Sequence, residues 1–166
     1  MPLTLILTRH AKSAWDDPAL DDFERPLNGR GRSSAAKLGH WLARKGYLPD
    51  TVLVSGARRT VETWSVMSEA LPETATMESV PALYLSTSNV MMNVLKARKS
   101  PVIMLIAHNP GIADFAERLV TQPPDHDKFQ QYPTGATTII SFDAPDWSAV
   151  GWGTGEVLDF VVPREI

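Results

Sequence analysis

Two histidines stand where a sheet protein places its chemistry. Leu3-Thr4-Leu5-Ile6-Leu7-Thr8 reads as a short apolar strand, and Arg9-His10 follows it directly. Much later, Val102–Ala107 reads as a second buried strand and delivers His108 at its end. Ligands of open α/β sheets bind outside the carboxyl ends of strands. His10 and His108 are therefore expected in one site. Arginines cluster at the same places: Arg9 beside His10, and Arg58-Arg59 at the predicted start of a helix after the strand Thr51–Val54. Two cations at a helix start oppose the macrodipole unless an anion sits there. Free N–H groups plus a guanidinium make such a start a phosphate site. A neutral imidazole can then attack phosphorus. A second histidine, protonated, can stabilise charge on the equatorial oxygens. Residue types alone do not choose between Arg58 and Arg59. His40, inside a predicted helix, reads as a surface or packing residue, and His126 lies in a polar loop with no assigned role.

Composition removes several rivals. The chain has no cysteine, which excludes a disulfide framework and any cysteine nucleophile. No G-x-x-x-x-G-K-[ST] loop is present, so P-loop nucleotide chemistry is not expected. A two-metal hydrolase wants clustered histidine and aspartate ligands, and no such spacing is recognisable. Neither a metal nor another cofactor is expected. Net charge is −3 with no long basic block, which argues against nucleic acid and anionic membranes as partners. No run approaches the ~20 apolar residues of a membrane span. The first apolar run is too short for a signal peptide and ends in Arg-His, so a cytoplasmic protein is expected. Its 166 residues suit a single domain over 1–166, large enough for a core without staples.

The elements that must position these residues can be read in order. Lys12 to Gly31 is rich in Asp, Pro and Gly and predicts a loop forming a wall of the site. Within it, Trp15 is expected to pack over the loop base. Ser33–Lys45 predicts an amphipathic helix, with Ala35, Leu38, Gly39 and Leu42 at helical spacing and Gly46 as its stop. Further helices are predicted over Arg58–Leu71, Ser88–Arg98 and Gly111–Val120. Further strands are predicted over Met77–Val80, Ala136–Phe142 and Val157–Val162. Gln122–Thr134 and Asp143–Gly155 predict loop and turn. Alternating strands and helices argue a three-layer α/β/α fold around a mostly parallel sheet, with the last two strands adding an antiparallel pair.

Three motifs in this order carry a resemblance. Thr8-Arg9-His10 after the first strand, Ser55-x-x-x-Arg59-x-x-x-Thr63 at the second strand–helix junction, and Ala107-His108-Asn109-Pro110-Gly111 after a late strand resemble the histidine phosphatase superfamily, with its phosphoglycerate mutase-like fold. Arg9-His10-Ala11-Lys12-Ser13, Asp22-Phe23-Glu24-Arg25-Pro26-Leu27-Asn28-x-x-Gly31, Leu83-Tyr84 and Tyr132-Pro133-Thr134 are similar to its short SixA-like branch, the phosphohistidine phosphatases. The resemblance implies that His10 is a nucleophile that becomes phosphorylated. It implies that Arg9 and Arg59, not Arg58, hold the phosphate, and that His108 is the second pocket histidine.

Departures from the family pattern sharpen the expectation. Ala11 stands where the superfamily usually has Gly, which requires an ordinary φ there. Asp16 stands where mutase-type motifs place an Asn near the phosphate, so its carboxylate must be turned away or protonated. Asn109 follows His108, and no clear general acid is visible; Asp16, Asp17, Asp21 and Asp22 are the candidates. An alkoxide leaving group needs a proton from such an acid. Imidazole leaving from phosphohistidine is a better leaving group, since its free nitrogen can be protonated beforehand. Short loops also leave little sequence for a lid. The expected function is a metal-independent phosphatase acting on protein phosphohistidine. The alternatives are a small-molecule phosphomonoesterase on the same scaffold, or a non-catalytic phosphate- or phosphoprotein-binding module.

Overall fold

A computed structural model describes residues 2–166. Six strands form one sheet: β1 (Leu3–Arg9), β2 (Thr51–Val54), β3 (Thr76–Ser79), β4 (Val102–Ala107), β5 (Thr137–Phe142) and β6 (Glu156–Val161). Their order across the sheet is β3-β2-β4-β1-β5-β6. β1, β2, β3 and β4 pair in parallel, whereas β5 runs antiparallel to both β1 and β6. Four helices accompany them: α1 (Gly29–Lys45), α2 (Arg58–Ser68), α3 (Ser88–Lys96) and α4 (Gly111–Leu119). The fold is α/β in three layers, as the alternation of elements predicts. Among the described residues no helix is long and apolar enough to cross a membrane.

Strand periodicity divides the core. Leu5 and Leu7 of β1, Leu53 of β2, Ile103 and Leu105 of β4 and Ile140 of β5 share one face with Met91, Leu95, Phe115 and Leu119 of α3 and α4. Ile6, Val52, Val54, Met104, Ile106 and Ile139 face the other way, onto Leu38, Leu42, Trp64 and Met67 of α1 and α2. Side chains alternate between faces with period two, so a strand buried on both sides must be apolar throughout. β1 meets this condition over Leu5–Leu7, and its buried Thr8 is paired with the Thr137 hydroxyl at 3.0 Å, so the strand can occupy the interior of the sheet. β3 is an edge strand, exposed at all four residues, and correspondingly polar.

The register of the central pair is the feature that matters downstream. Arg9 lies opposite Ala107 in the parallel β1–β4 ladder, and the His10 amide donates to the Ala107 carbonyl at 3.2 Å. The residues that follow, His10 and His108, therefore emerge side by side.

Boundaries differ from the sequence reading in physically simple ways. α1 begins at Gly29, four residues before the expected Ser33, because Asn28 caps it and accepts from the Gly31 amide at 2.8 Å. α2 closes at Ser68, three residues before the expected Leu71. The Lys12–Gly31 segment is not featureless: Ser13 bridges Leu27, and Asp22–Glu24 form a 3₁₀ turn. This brings the loop back onto α1. Gly31 completes the contact, since a Cβ there would lie 2.0 Å from the Lys12 carbonyl oxygen. That atom is backbone and cannot swing away.

Gly31→Ala is expected to cost about 1–3 kcal/mol, as overpacking does. Gly29→Ala, with nothing within 4 Å of the new methyl, should be neutral or slightly stabilising. Paired thermal melts check this; equal effects would mean that α1 does not clamp the loop.

Candidate active site

His10 leaves β1 with its ring fixed from one side. Its Nδ1 lies 2.7 Å from the Ala11 carbonyl oxygen, a pure acceptor, so Nδ1 carries the proton and Nε2 keeps its lone pair. Ala11 has no positive φ and is fully buried, so alanine is accommodated there. Its amide donates to the Thr63 hydroxyl at 3.0 Å, and that hydroxyl donates to the Arg59 carbonyl at 2.7 Å. The end of β1 is thereby tied to α2.

His108 lies 5.3 Å from His10, ring centroid to centroid. Arg59 donates to its Nδ1 at 3.2 Å, and its Nε2 is 2.7 Å from the Ser55 hydroxyl oxygen. A guanidinium can only donate, so Nδ1 accepts and Nε2–H donates to Ser55. Ser55 Oγ also accepts from the Ala57 amide at 3.2 Å. Its own proton goes to Thr60 Oγ1, 3.2 Å away, which donates to the Ala57 carbonyl. Every donor in this chain has an acceptor, and the tautomer of His108 is fixed by it.

Both rings are held neutral. Burial pushes His10 down to about 3, assisted by the neighbouring His108, Arg59 and Arg9, against the hydrogen bond to Ala11. Burial and then Arg59 push His108 down to about 3. The sequence reading of His108 as a protonated imidazole is corrected here: a buried ring facing a guanidinium cannot add a second positive charge cheaply.

The positive charge comes instead from arginines. Arg59 is buried, its side chain 3% exposed, whereas Arg58 is exposed and paired with Glu62 at 2.9 Å. Structure thus separates two residues that residue type alone presents as equals, in the sense that the motif spacing implies. Arg9 donates to the Tyr132 carbonyl at 3.2 Å. Tyr132 has φ +48°, and its buried hydroxyl bonds the Leu7 carbonyl at 2.6 Å. That left-handed backbone aims the same carbonyl at Asn109, which donates to it at 3.1 Å. Arg9 Nε and Arg59 Nε are buried without partners.

Asp22 is the counter-charge. Its carboxylate accepts from Arg59 at 3.0 Å, from Arg25 at 2.9 and 3.1 Å, and from the Tyr84 hydroxyl. The Tyr84 hydroxyl, Arg25 and Arg59 outweigh desolvation and hold it well below the usual carboxylate range. Among the candidate acids of the first loop, only Asp22 reaches the cleft, and it is held ionised. Asp16, Asp17 and Asp21 are exposed and line none of it.

These groups open onto a cleft of about 570 Å³ lined by Arg9, His10, Lys12, Arg25, Arg59 and His108, with Asp22 as its one carboxylate. Arg9, His10, Arg59 and His108 are brought together as the motifs imply. Arg25 and Tyr84 were not singled out from sequence, although both lie within the quoted motifs. Arg25 is buried, donates to the Ser13 hydroxyl at 2.7 Å, and carries the Trp15 ring at 3.5 Å from its guanidinium. Trp15 does cover the loop base through Arg25, yet it is 77% exposed at the mouth of the cleft. Among the described residues no group of three or more His, Cys, Asp or Glu is placed to hold a metal ion.

Comparison with known proteins places the chain among similar sequences and folds. Residues 5–84 match the family model of the histidine phosphatase superfamily (branch 1). An uncharacterised chloroplastic protein of Arabidopsis thaliana is 35% identical over 126 residues, covering 69% of this chain and 58% of that protein. The chain thus spans a little over half the length of that plant relative. The crystal structure of a SixA protein of Agrobacterium tumefaciens superposes with TM-score 0.81 at 25% identity, covering 98% of this chain and 99% of that one. A phosphoglycerate mutase of Plasmodium falciparum shares the fold at TM-score 0.66 and 18% identity, covering 96% of this chain and 91% of that one. The chain is thus similar to the histidine phosphatase superfamily over residues 5–84 and, across its whole length, to the fold of the SixA structure.

Neutral, buried histidines make a direct spectroscopic statement. The ring resonances of His10 and His108 are expected not to titrate between about pH 5 and 8, where an ordinary imidazole changes charge. A midpoint near 6.5 for either ring in an NMR titration would contradict the burial argument.

Proposed function

We propose that the protein is a phosphatase that forms a phosphohistidine intermediate at His10 and acts on phosphohistidine carried by another protein. The observation that carries this reading is the state of His10. Its Nδ1 donates to Ala11, its ring is neutral, and its Nε2 lone pair is free in a cleft lined by four cations. A binding module needs the cations but no neutral nucleophile.

The steps follow from the residues. Arg9 and Arg59 receive the phosphoryl oxygens, and Arg59 shifts from Asp22 toward the incoming dianion. His10 Nε2 attacks phosphorus, the bond from phosphorus to the substrate nitrogen breaks, and its electron pair leaves with the imidazole. A proton already on the other ring nitrogen of the substrate lets that group depart neutral. Water then attacks the phosphorus carried on Nε2, an O–P bond forms as the P–N bond breaks, and the electron pair returns to His10. The water proton leaves with inorganic phosphate. Oriented arginines stabilise the charge in both steps.

Two features support the substrate class. Asp22 is held ionised and the Tyr84 hydroxyl is committed to it, so neither offers a proton to an alkoxide. A phosphoramidate does not require one. At the cleft mouth, Trp15 and Leu85 are 77% and 56% exposed, and Leu85 holds φ +50°. Exposed apolar groups at the rim of a charged cleft suit contact with a macromolecule.

Phosphate release from a phosphohistidine-bearing protein and from a simple phosphate monoester, both in EDTA, tests the proposal. A strong preference for phosphohistidine is expected. His10→Ala should reduce turnover at least about 10³-fold with the fold intact, the scale seen when a nucleophile is removed. Arg59→Ala should raise KM and lower kcat far more than Arg58→Ala. Retained activity without His10 would remove it from the mechanism, and a preference for the ester would reject the phosphoramidate argument.

A further inference from the structure

A second groove adjoins the cleft. It encloses about 380 Å³ and shares Lys12, Pro133 and Thr134 with the site described above. Five cations line it: Lys12, Arg30, Lys37, Lys128 and Arg164, with no aspartate or glutamate among its lining residues. None of the five forms an ion pair, although seven other arginines and lysines of the described chain do. The chain as a whole is acidic, at −3, so this is a local inversion of its charge. It is also built against local preference. Arg30 stands in the first turn of α1, which contains no acidic residue, although the helix dipole favours one there. Arg30 and Lys37 lie seven residues apart, two turns along the same face of α1, with Ser33 and Ser34 between them.

Unpaired, concentrated positive charge beside a catalytic cleft attracts an anion, and the layout selects its kind. A compact phosphate wants convergent guanidinium and amide donors. Here the cations come from four separate elements: the first loop at Lys12, α1, the loop at Lys128, and the C-terminal turn at Arg164. Pro133, Val162 and Pro163 supply apolar wall between them. Charges spread along a walled groove match carboxylates spread along a peptide. Resting on the phosphohistidine reading above, we propose that this groove docks an acidic segment of the phosphorylated protein next to the residue being dephosphorylated. Lys12, at the junction, orders the two sites.

Two synthetic phosphohistidine peptides test this, one flanked by four glutamates and one by four glutamines. Wild-type kcat/KM should favour the glutamate peptide about tenfold, the size that a few exposed charge pairs supply, and salt should erode the preference. The triple variant Arg30→Glu, Lys37→Glu, Arg164→Glu should abolish or reverse it. Turnover of free N-phosphohistidine should be unchanged, since these three residues lie outside the reaction cleft. Loss of activity on free phosphohistidine in the triple variant, or an undiminished glutamate preference, would overturn the docking proposal. Should the wild type hydrolyse no phosphohistidine at all, the functional reading fails separately. The groove is then tested by fluorescence anisotropy with the unphosphorylated glutamate peptide, where equal affinity for wild type and triple variant would overturn it.

Discussion

Parallel pairing of β1 with β4 is the constraint on which the site depends. One register sets Arg9 opposite Ala107, so the two chains leave the sheet together and His10 meets His108. A slip of one residue would turn every buried side chain of β1 to the opposite core. Leu5 and Leu7 would then face the α1–α2 side and Ile6 the other, in an interior with no spare volume. Burial of the strand, about 1.5–3 kcal/mol for each large aliphatic side chain, therefore fixes the geometry of two rings that contribute little to stability themselves. The alignment of the two rings is a by-product of core packing.

A second layer of control is electrostatic. The fold buries Arg59 almost completely, and an unpaired buried guanidinium costs several kcal/mol. Asp22 supplies the missing charge from the first loop, and Arg25 and Tyr84 keep it there. The same carboxylate marks the direction from which an anion can reach Arg59. Positive charge is thus kept on arginines, which cannot release a proton, and off the histidines, which burial keeps neutral. Neutral imidazoles and charged guanidiniums coexist within a few ångströms because burial lowers the imidazoles past neutrality, whereas an arginine starts from so high a value that it keeps its proton.

Charge distribution continues beyond the cleft. Five cations and no carboxylate line the groove beside the site, although the chain as a whole is acidic. Trp15 and Leu85 add apolar surface at the cleft mouth. The open cleft thus has a charged extension on one side and an apolar rim at its mouth.

Much of this was legible in the chain itself. Periodicity alone gave the layered α/β architecture, because a strand buried on both faces must be apolar and a helix packed on a sheet must carry an apolar stripe. Placing Arg9, His10 and His108 at strand ends followed from the same reasoning. Tertiary structure decided what depends on distant partners. Arg58 and Arg59 are alike in residue type; the motif resemblance favours Arg59, and the angular step along α2 is the physical reason, turning one to Glu62 and the other to Asp22 and His108. Asp22 could not be told from Asp16, Asp17 and Asp21, because its role rests on Tyr84, sixty-two residues away in sequence. The neutral state of His108 was likewise hidden, since burial and the Arg59 contact exist only once α2 is packed. Composition and periodicity are local properties and fix local form. Protonation states and charge pairing are set by neighbours in space, and those exist only in the folded chain.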